Sequence, residues 1–468
     1  MTLFEIIQGL QYFFLFYFVA INGVYLMLDG VALISIYRYM QRQALEQLPL
    51  LYANYEPPIS ILVPAYNEES SIPTSIRSLL QIHYSDYEII VINDGSKDHT
   101  VDVLIHEFSL VPFPEDNPHR LEIKPVRGVY RSTVYPNLRV IDKENGGKAD
   151  ALNAGINYSH FDLCCAVDAD SILQQDSLHR IVQPFLEDTT CVASGGTIRV
   201  ANGCEVKGGF LVRTDLPHNL LALFQIVEYL RAFLFGRLGW SPLNALLIIS
   251  GAFGLFKKET VIEVGGYRTQ TIGEDMELIV RMHRKLRLSG TPYKITFIPD
   301  PICWTEAPED LKTLRNQRIR WQRGLAESLS SNLSLLFHPK GGAPGWLSFP
   351  FMAFFEWLGP VFEVIGYIFM VVGFLLGVID FEAMFAFFLV TLGLGMLLST
   401  SALLLDEISF RLYPKLRNTA LLFGALVLEN FGYRQLNSWW RMKGVYQWAF
   451  GKKGHWGEMK RRASWQSR

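Results

Sequence analysis

A largely apolar stretch at residues 10–37 constrains the fold of this chain more than any other feature. A helix needs roughly 20 apolar residues to cross a bilayer core about 30 Å thick, and this stretch is longer. Arg38 and Arg42 follow it, and the basic start of a cleaved signal peptide is missing. We therefore expect residues 1–40 to form a retained membrane anchor whose basic flank places the following domain in the cytosol.

Further apolar segments lie near the other end of the chain. Residues 361–379 and 383–405 are long enough to cross a membrane. The shorter stretch 346–358 contains a glutamate and suits a helix that lies on the membrane surface. Residues 419–435 are ambiguous, because two polar residues interrupt them. The sequence therefore predicts interfacial and transmembrane helices over residues 346–440.

The tail at residues 441–468 is rich in lysine and arginine and contains a single acid, Glu458. Basic flanks favour the cytosolic side of a membrane, so we expect this tail in the cytosol. An even number of crossings must then separate it from the central domain. Either residues 419–435 do not cross, or the region 346–379 contains two crossings. The chain is predicted to be a multi-pass protein of the cell membrane.

The central residues, 54–340, have the pattern of an α/β domain. β-branched runs at 59–64 and 87–94 alternate with helical stretches such as 71–82, and a long connection rich in proline and charge occupies 105–137. Strands that alternate with helices predict a parallel, doubly wound, Rossmann-like sheet. In such sheets, ligands bind beyond the carboxyl ends of the strands.

Candidate site residues lie at the predicted strand ends or in the loops that follow, so they should meet at one edge of the sheet. They are Pro64, Ala65, Tyr66, Glu68, Asp94, Lys148, Asp168 and Asp170. The aspartates Asp168 and Asp170 are spaced so that a turn brings both to one hard cation, Mg²⁺ or Mn²⁺, which also binds phosphate oxygens. An isolated pair of aspartates is weak evidence, and Asp94 in "NDGS" is also typical of a turn. The ordered set in one α/β frame favours a site for a nucleoside diphosphate.

The stretch "TIGEDMELIVRMHRK" places Glu274 and Asp275 in the first turn of a predicted helix. Acids at this position are often only partners of the helix dipole. A carboxylate in a pocket is equally suited to be the general base that deprotonates a sugar hydroxyl. The sequence leaves both interpretations open.

The stretch "LRNQRIRWQRG" carries Gln317, Arg320 and Trp321 just before the C-terminal apolar segments. One interpretation is a basic helix that lies on anionic lipid. The other is a tryptophan platform for the face of a sugar, with the glutamine and the arginine reaching phosphate.

The chain resembles the membrane-embedded family-2 glycosyltransferases, which include cellulose, chitin, hyaluronan and poly-N-acetylglucosamine synthases. The resemblance covers residues 57–325 through the ordered motifs "PAYNE", "NDGS", "GGKADALN", "DAD", "GED" and "QRIRW". The last of these matches QxxRW at Gln317, Arg320 and Trp321. The resemblance implies a GT-A fold and an inverting transferase that uses a UDP-sugar.

The resemblance also implies a role for each candidate residue. Residues 64–68 and Asp94 would hold the uridine, Lys148 would contact the diphosphate, and Asp168 with Asp170 would hold the metal. Asp275, with Glu274 beside it, would be the base that activates the acceptor hydroxyl. Gln317, Arg320 and Trp321 would close over the diphosphate and help form the acceptor site. The stretch "SGAFGLFKKE" at 250–259 would line the acceptor end.

The chain departs from the family pattern in three places. Gly273 replaces the threonine of the usual TED motif, although both acids are kept. A single N-terminal span is evident where several polysaccharide synthases have two. The connection at 105–137 lies outside the motif core. These departures leave the expected chemistry intact and concern the product.

We expect a processive synthase of a β-linked cell-surface polysaccharide. The alternative is a nonprocessive transferase that adds one sugar to a lipid acceptor, and a transporter or scaffold is disfavoured because the acids are retained. The expected partners are a UDP-sugar donor, a polysaccharide or lipid acceptor, membrane lipids, and accessory export or regulatory proteins. The net charge of −2 gives no reason to expect nucleic acid.

Overall fold

The computed structural model describes residues 3–45, 56–115, 120–207 and 209–451. The strands are β1 Ile59–Ala65, β2 Tyr87–Asp94, β3 Leu110–Pro112, β4 Val126–Ser132, β5 Leu138–Lys143, β6 Leu163–Val167, β7 Ile172–Leu173, β8 Cys191–Val200, β9 Glu205–Lys207, β10 Phe210–Arg213, β11 Phe253–Lys257 and β12 Lys294–Thr305.

Ten of these strands form one sheet in the order β3-β4-β5-β2-β1-β6-β11-β8-β12-β7. The central strands β5, β2, β1 and β6 run parallel, as do β8 and β12. Antiparallel neighbours continue the sheet on both sides of the central strands. β1, β2 and β6 are almost entirely buried, as expected for parallel strands covered on both faces. The predicted doubly wound α/β sheet is confirmed, and its flanks are mixed.

The long connection at 105–137 contains β3 and β4. Both pair antiparallel, β3 with β4 and β4 with β5, so they extend one edge of the sheet. Residues 116–119 of this connection lie outside the described residues. The connection therefore extends the sheet beyond β5.

The α-helices are α1 Leu3–Leu45, α2 Ile72–Leu79, α3 Thr100–Glu107, α4 Lys148–Tyr158, α5 Ser177–Glu187, α6 Leu220–Leu230, α7 Leu238–Trp240, α8 Lys258–Glu263, α9 Glu274–Ser289, α10 Leu311–Ser330, α11 Phe349–Phe351, α12 Gly359–Leu375, α13 Phe381–Phe388, α14 Leu394–Ser409, α15 Leu416–Leu428 and α16 Tyr433–Ala449. Short π-helical segments continue several of them, among them Arg231–Arg237 after α6 and Met352–Trp357 after α11.

Two helical segments in the described part of the chain are long and apolar enough to cross a membrane, Glu5–Gln41 and Phe381–Ser409. The segments Pro344–Trp357 and Gly359–Leu375 meet at a bend of 44° and together would make a third, broken span. α15 has 13 residues, fewer than the roughly 20 that a crossing needs. This arrangement favours the alternative in which residues 419–435 do not cross. The end of the predicted basic tail, residues 452–468, lies outside the described residues.

Buried ion pairs join the α/β domain to the C-terminal helices. Arg199 of β8 binds Asp406 of α14 at 2.7 Å, and both side chains are buried. Arg231 binds Glu429, directly after α15. Removing one partner of a buried pair leaves an uncompensated charge, so these contacts fix the helices against the domain. Glu429, which interrupts the last apolar stretch of the sequence, thus attaches the C-terminal helices to the α/β domain.

Candidate active site

A single cavity of about 1480 Å³ contains every residue that the sequence predicted for the site. These residues are Pro64, Ala65, Tyr66, Glu68, Asp94, Lys148, Asp168, Asp170, Glu274, Asp275, Gln317, Arg320 and Trp321. The cavity begins at the carboxyl ends of the parallel strands and continues between the apolar helices, where Phe18, Phe355 and Leu398 line it. The predicted convergence at one edge of the sheet is therefore present in the structure.

Lys148 supplies the positive charge beside the aspartates that follow β6. It begins α4 after Gly147, whose φ of +88° suits glycine. Its Nζ lies 2.5 Å from Asp168 Oδ1 and 3.6 Å from Glu274 Oε1. Burial lowers the pKa of Lys148, but the charges of Asp168 and Glu274 outweigh burial and raise that pKa above its ordinary value. The ammonium group is therefore permanently charged and ready to meet an anionic ligand.

The pair Asp168 and Asp170 fits a divalent metal that a diphosphate would share. Both side chains line the cavity directly after β6, and carboxylate oxygens are the ligands that Mg²⁺ and Mn²⁺ prefer. No cluster of three or more histidine, cysteine or acidic side chains that could hold a metal occurs within the described ranges. The protein thus offers two carboxylates, and phosphate oxygens with water would complete the shell.

Asp94 holds the turn that carries Lys148. Its Oδ1 accepts hydrogen bonds from Lys143 Nζ at 2.7 Å and from the Gly146 N–H at 3.0 Å. Its Oδ2 accepts from the Gly147 N–H at 2.7 Å. Asp94 lines the cavity, so it remains a candidate for contact with the nucleotide, but these bonds give it a positioning role that sequence reasoning missed. A lysine at the end of the strand "LRVIDK" was the only available signal.

Glu274 and Asp275 begin α9 and face different groups. Asp275 Oδ2 accepts a hydrogen bond from the Gly251 N–H at 3.0 Å, and Oδ1 accepts from the Met276 N–H at 2.8 Å. Burial raises the pKa of Glu274 to about 7, against the opposing charge of Lys148. The two acids therefore differ in environment: Asp275 is held by backbone N–H groups, whereas Glu274 is a buried partner of the lysine.

Gly251, within the predicted acceptor-end stretch, fits between Lys148 and Asp275. A Cβ at this position would lie 2.8 Å from Lys148 Nζ and 3.5 Å from Asp275 Oδ2. Lys148 Nζ also donates to the Gly251 carbonyl at 3.3 Å. The backbone at this glycine thus sets the distance between the cation and the acid.

The motif residues Gln317, Arg320 and Trp321 lie on α10, at spacings of three and four residues that place them on one helix face. Asp310 caps the helix by accepting a hydrogen bond from the Thr313 N–H at 2.8 Å. The Trp321 side chain is 44% exposed, and Gln317 Oε1 is buried without a hydrogen-bond partner in the part of the chain that the structure describes. Both features suit side chains that meet a ligand.

Gln322, next to the tryptophan, ties α10 to the apolar helices. Its Nε2 donates to the carbonyls of Glu356 and Trp357 at 2.9 Å, where the bent helix pair meets. Its Oε1 accepts from Arg441 Nε at 2.8 Å. These partners are 34 to 119 residues away in sequence, so no local signal could have identified this residue.

Gly273 explains the departure from the TED motif. A Cβ added at Gly273 would lie 2.9 Å from the Gly324 Cα, and a Cβ added at Gly324 would lie 2.9 Å from the Gly273 Cα. The start of α9 and the middle of α10 therefore approach backbone to backbone, which a threonine at position 273 would prevent. Gly324 was not predicted, although a glycine inside a helix costs about 1 kcal/mol and is itself a signal.

Gly273→Ala is expected to destabilise the protein by about 1 to 3 kcal/mol, because the added Cβ forces the two helices apart. The midpoint of thermal unfolding of the detergent-purified protein measures the effect. Gly424→Ala is the matched control, since a Cβ at that helical glycine meets nothing within 4 Å. Equal unfolding temperatures for the two variants would contradict the importance of this contact.

Two family models match the chain, "Glycosyltransferase like family 2" over residues 125–324 and "Glycosyl transferase family 2" over residues 60–114. The chain is 32% identical to "Poly-beta-1,6-N-acetyl-D-glucosamine synthase" of Staphylococcus aureus (strain COL) over 300 residues, which cover 63% of this chain and 62% of the relative. It is 28% identical to the Staphylococcus epidermidis protein of the same name over 272 residues, covering 58% and 55%. The matched region thus spans less than two thirds of either relative.

Among solved structures, the chain resembles "Mannosyltransferase PcManGT from Pyrobaculum calidifontis in complex with GDP-Man and Mn2+". The TM-score is 0.53 at 17% identity, covering 94% of this chain and 100% of the other. At this identity, the likeness shows a shared fold, and the expected GT-A architecture is confirmed. Residues 60–114 and 125–324 are therefore glycosyltransferase family 2 domain sequence, and helices that are long and apolar enough to cross a membrane lie on both sides of this GT-A domain.

Proposed function

We propose that this protein is an inverting membrane glycosyltransferase that adds sugars from a UDP-sugar to a growing, β-linked cell-surface polysaccharide. The observation that carries the proposal is that Asp275 shares one cavity with Lys148 and with the acids that follow β6, Asp168 and Asp170. The same cavity extends between the apolar helices, which offers an elongated product a place beside the site of transfer. This continuity favours a polymer over the transfer of a single sugar.

Asp275 would act as the general base. Its carboxylate would take the proton of the acceptor hydroxyl while that oxygen attacks the anomeric carbon of the donor. The bond from the anomeric carbon to the diphosphate oxygen breaks on the opposite face, so the configuration inverts. The N–H of Gly251 fixes one oxygen of this carboxylate at 3.0 Å, which orients the base before substrate arrives.

The leaving diphosphate would lie against Lys148, whose charge offsets the negative charge that grows on the departing oxygen. Asp168 and Asp170 would hold Mg²⁺ or Mn²⁺, which when bound neutralises further charge on the diphosphate. Residues 64–68 and Asp94 would hold the uridine, and Gln317 with Arg320 would close over the diphosphate. The preorganised set explains why these residue types meet at the end of β6.

N-acetylglucosamine is the first sugar to test, because the curated relatives are named as synthases of a polymer of this sugar. We place the protein in the cell membrane as a multi-pass protein with its catalytic domain in the cytosol. The proposed arrangement is an anchor at 1–40, the transferase domain at 54–340, interfacial and transmembrane helices at 346–440, and a cytosolic tail at 441–468.

Membranes that contain the protein should convert a radiolabelled UDP-sugar, with Mg²⁺ or Mn²⁺, into polymer-sized product. A panel of UDP-sugars identifies the donor, and separation by size distinguishes polymer from glycolipid. Membranes that contain the Asp275→Asn variant are the background control. Labelled product of lipid size alone would replace the polysaccharide proposal with the single-transfer alternative, and no product from any UDP-sugar would end both.

Trp321→Ala is expected to reduce acceptor use about tenfold and to shorten the product, because an aromatic face against the acceptor is lost. Product length is measured by gel filtration at matched donor consumption. Trp346→Ala is the control, since Trp346 is 51% exposed and does not line the cavity. Polymer of normal length from the Trp321 variant would argue against an acceptor platform.

A further inference from the structure

Arg237 is a charged residue that lines the cavity and has no role in the proposed transfer of sugar. It ends the π-helix Arg231–Arg237, which follows α6. Its Nε and Nη1 atoms are buried and have no hydrogen-bond partner in the described part of the chain. π-Helical turns inside longer helices are rare and occur frequently at functional sites.

The other arginines that line the cavity differ from Arg237, because each has a hydrogen-bonding or charged partner within the protein. These are Arg231, Arg318, Arg320, Arg434 and Arg441. Arg231 stands at the start of the same π-helix and binds the Glu429 carboxylate. The π-helix therefore carries one arginine that pairs with a carboxylate and another, Arg237, whose Nε and Nη1 have no acceptor in the described part of the chain.

Leaving a buried guanidinium without acceptors is energetically costly. Burial lowers the pKa of Arg237 to about 10, so the group stays protonated at neutral pH. The centroid of the Phe233 ring lies 3.7 Å from the guanidinium carbon, and this cation–π contact fixes the side chain but supplies no hydrogen-bond acceptor. The Nε and Nη1 donors of Arg237 are therefore held in place without an acceptor in the described part of the chain.

Arg237 shares the cavity with the proposed base, and the charge of Asp275 acts on it. Asp275 and Tyr229 are titratable neighbours whose charges act on it, and both line the same cavity as Arg237. A carboxylate base accepts a proton and cannot donate a hydrogen bond. An acceptor sugar bound at Asp275 needs donors for its other oxygens, and a guanidinium provides them.

We propose that Arg237 binds the acceptor sugar, donating hydrogen bonds to oxygens next to the hydroxyl that Asp275 deprotonates. The inference rests on the proposed function and deepens it by assigning an acceptor-binding residue outside the sequence motifs. The acceptor is then held between an acid that receives its proton and a cation that fixes its orientation. Lys148 and Arg320 remain the cations for the diphosphate.

The test compares binding of two probes to the full-length protein in detergent by calorimetry. The probes are a β-1,6-linked N-acetylglucosamine tetrasaccharide and UDP with Mg²⁺. Arg237→Gln is expected to weaken the tetrasaccharide about 10- to 100-fold, the range for a lost hydrogen bond to a charged group, and to leave UDP affinity unchanged. Arg237→Lys, which keeps the charge and loses the planar fork, should fall in between.

Arg213→Gln is the matched control, since Arg213 is exposed on β10 and does not line the cavity. It should change neither affinity. The lysine variant decides the question if the glutamine variant does not fold, as judged by thermal unfolding. Equal tetrasaccharide affinity in the wild type and the Arg237 variants would overturn the inference, as would a parallel loss of UDP affinity or a wild type that does not bind the tetrasaccharide.

The binding comparison separates this inference from the proposed function. Wild-type membranes that form no product from any UDP-sugar contradict the proposed function, whereas the tetrasaccharide affinities still decide the role of Arg237. Wild-type membranes that form polymer, together with an Arg237→Gln variant that binds the tetrasaccharide normally, contradict the inference alone.

Discussion

Asp275→Asn is expected to lower the rate of sugar transfer by at least about 10³-fold, because an amide cannot take the proton of the acceptor hydroxyl. The substitution keeps an oxygen that can accept the Gly251 N–H, so the geometry of the first turn of α9 should survive. UDP affinity should therefore remain close to that of the wild type. Initial rates with the donor identified from the UDP-sugar panel, together with UDP binding, measure both effects.

Asp176→Asn is the control for this substitution. Asp176 is 42% exposed, pairs with Arg180 and does not line the cavity, so turnover should be normal. An Asp275→Asn variant that transfers sugar at the wild-type rate would show that the base is another residue. A variant that loses UDP binding together with transfer would instead make Asp275 part of the nucleotide site.

The parts of the fold that depend on local sequence pattern could be predicted. The β-branched runs at 59–64 and 87–94 became β1 and β2, and the helical stretch at 71–82 contains α2. Alternation of strands and helices was sufficient to predict the doubly wound sheet, because parallel strands need crossover connections. The pairing of β3 and β4 at the sheet edge was not predictable, since it depends on register against β5.

The same distinction applies to the site. The convergence of residues at strand ends could be predicted from the sequence, because the carboxyl ends of parallel strands share one edge. The contacts that orient these side chains could not be predicted. Gly251 reaches Asp275 across 24 residues, and Gly146 reaches Asp94 across 52. Such hydrogen bonds follow from the packing of whole elements, which no spacing in the sequence encodes.

The apolar segments show a third case, in which the sequence revealed a feature but not its role. Glu429 and Asn430 were visible as an interruption of the last apolar stretch. The structure gives Glu429 a buried ion pair with Arg231, on the π-helix that also carries Arg237. The interruption thus joins the C-terminal helices to the wall of the catalytic cavity, which only the tertiary structure could reveal.

Removal of divalent metal with EDTA is expected to stop sugar transfer, with a loss of at least about 10²-fold, and added Mg²⁺ or Mn²⁺ should restore it. The reason lies in the charges at the end of β6. Lys148 already pairs with Asp168 at 2.5 Å, and Arg320 also has a partner within the protein, so the two cations offset only part of the charge of a diphosphate. We therefore expect a divalent cation at the carboxylate pair.

Asp168→Asn and Asp170→Asn test which side chains hold that metal. Each variant should need a higher Mn²⁺ concentration for half-maximal transfer, and each should lose the metal dependence of UDP binding, a readout that does not require turnover. Asp176→Asn should change neither quantity, because it lies outside the cavity. Full turnover in EDTA would remove the metal from the proposal. Transfer would then have to rely on Lys148 with the arginine of the QxxRW motif, and the two aspartates would serve only to hold the lysine.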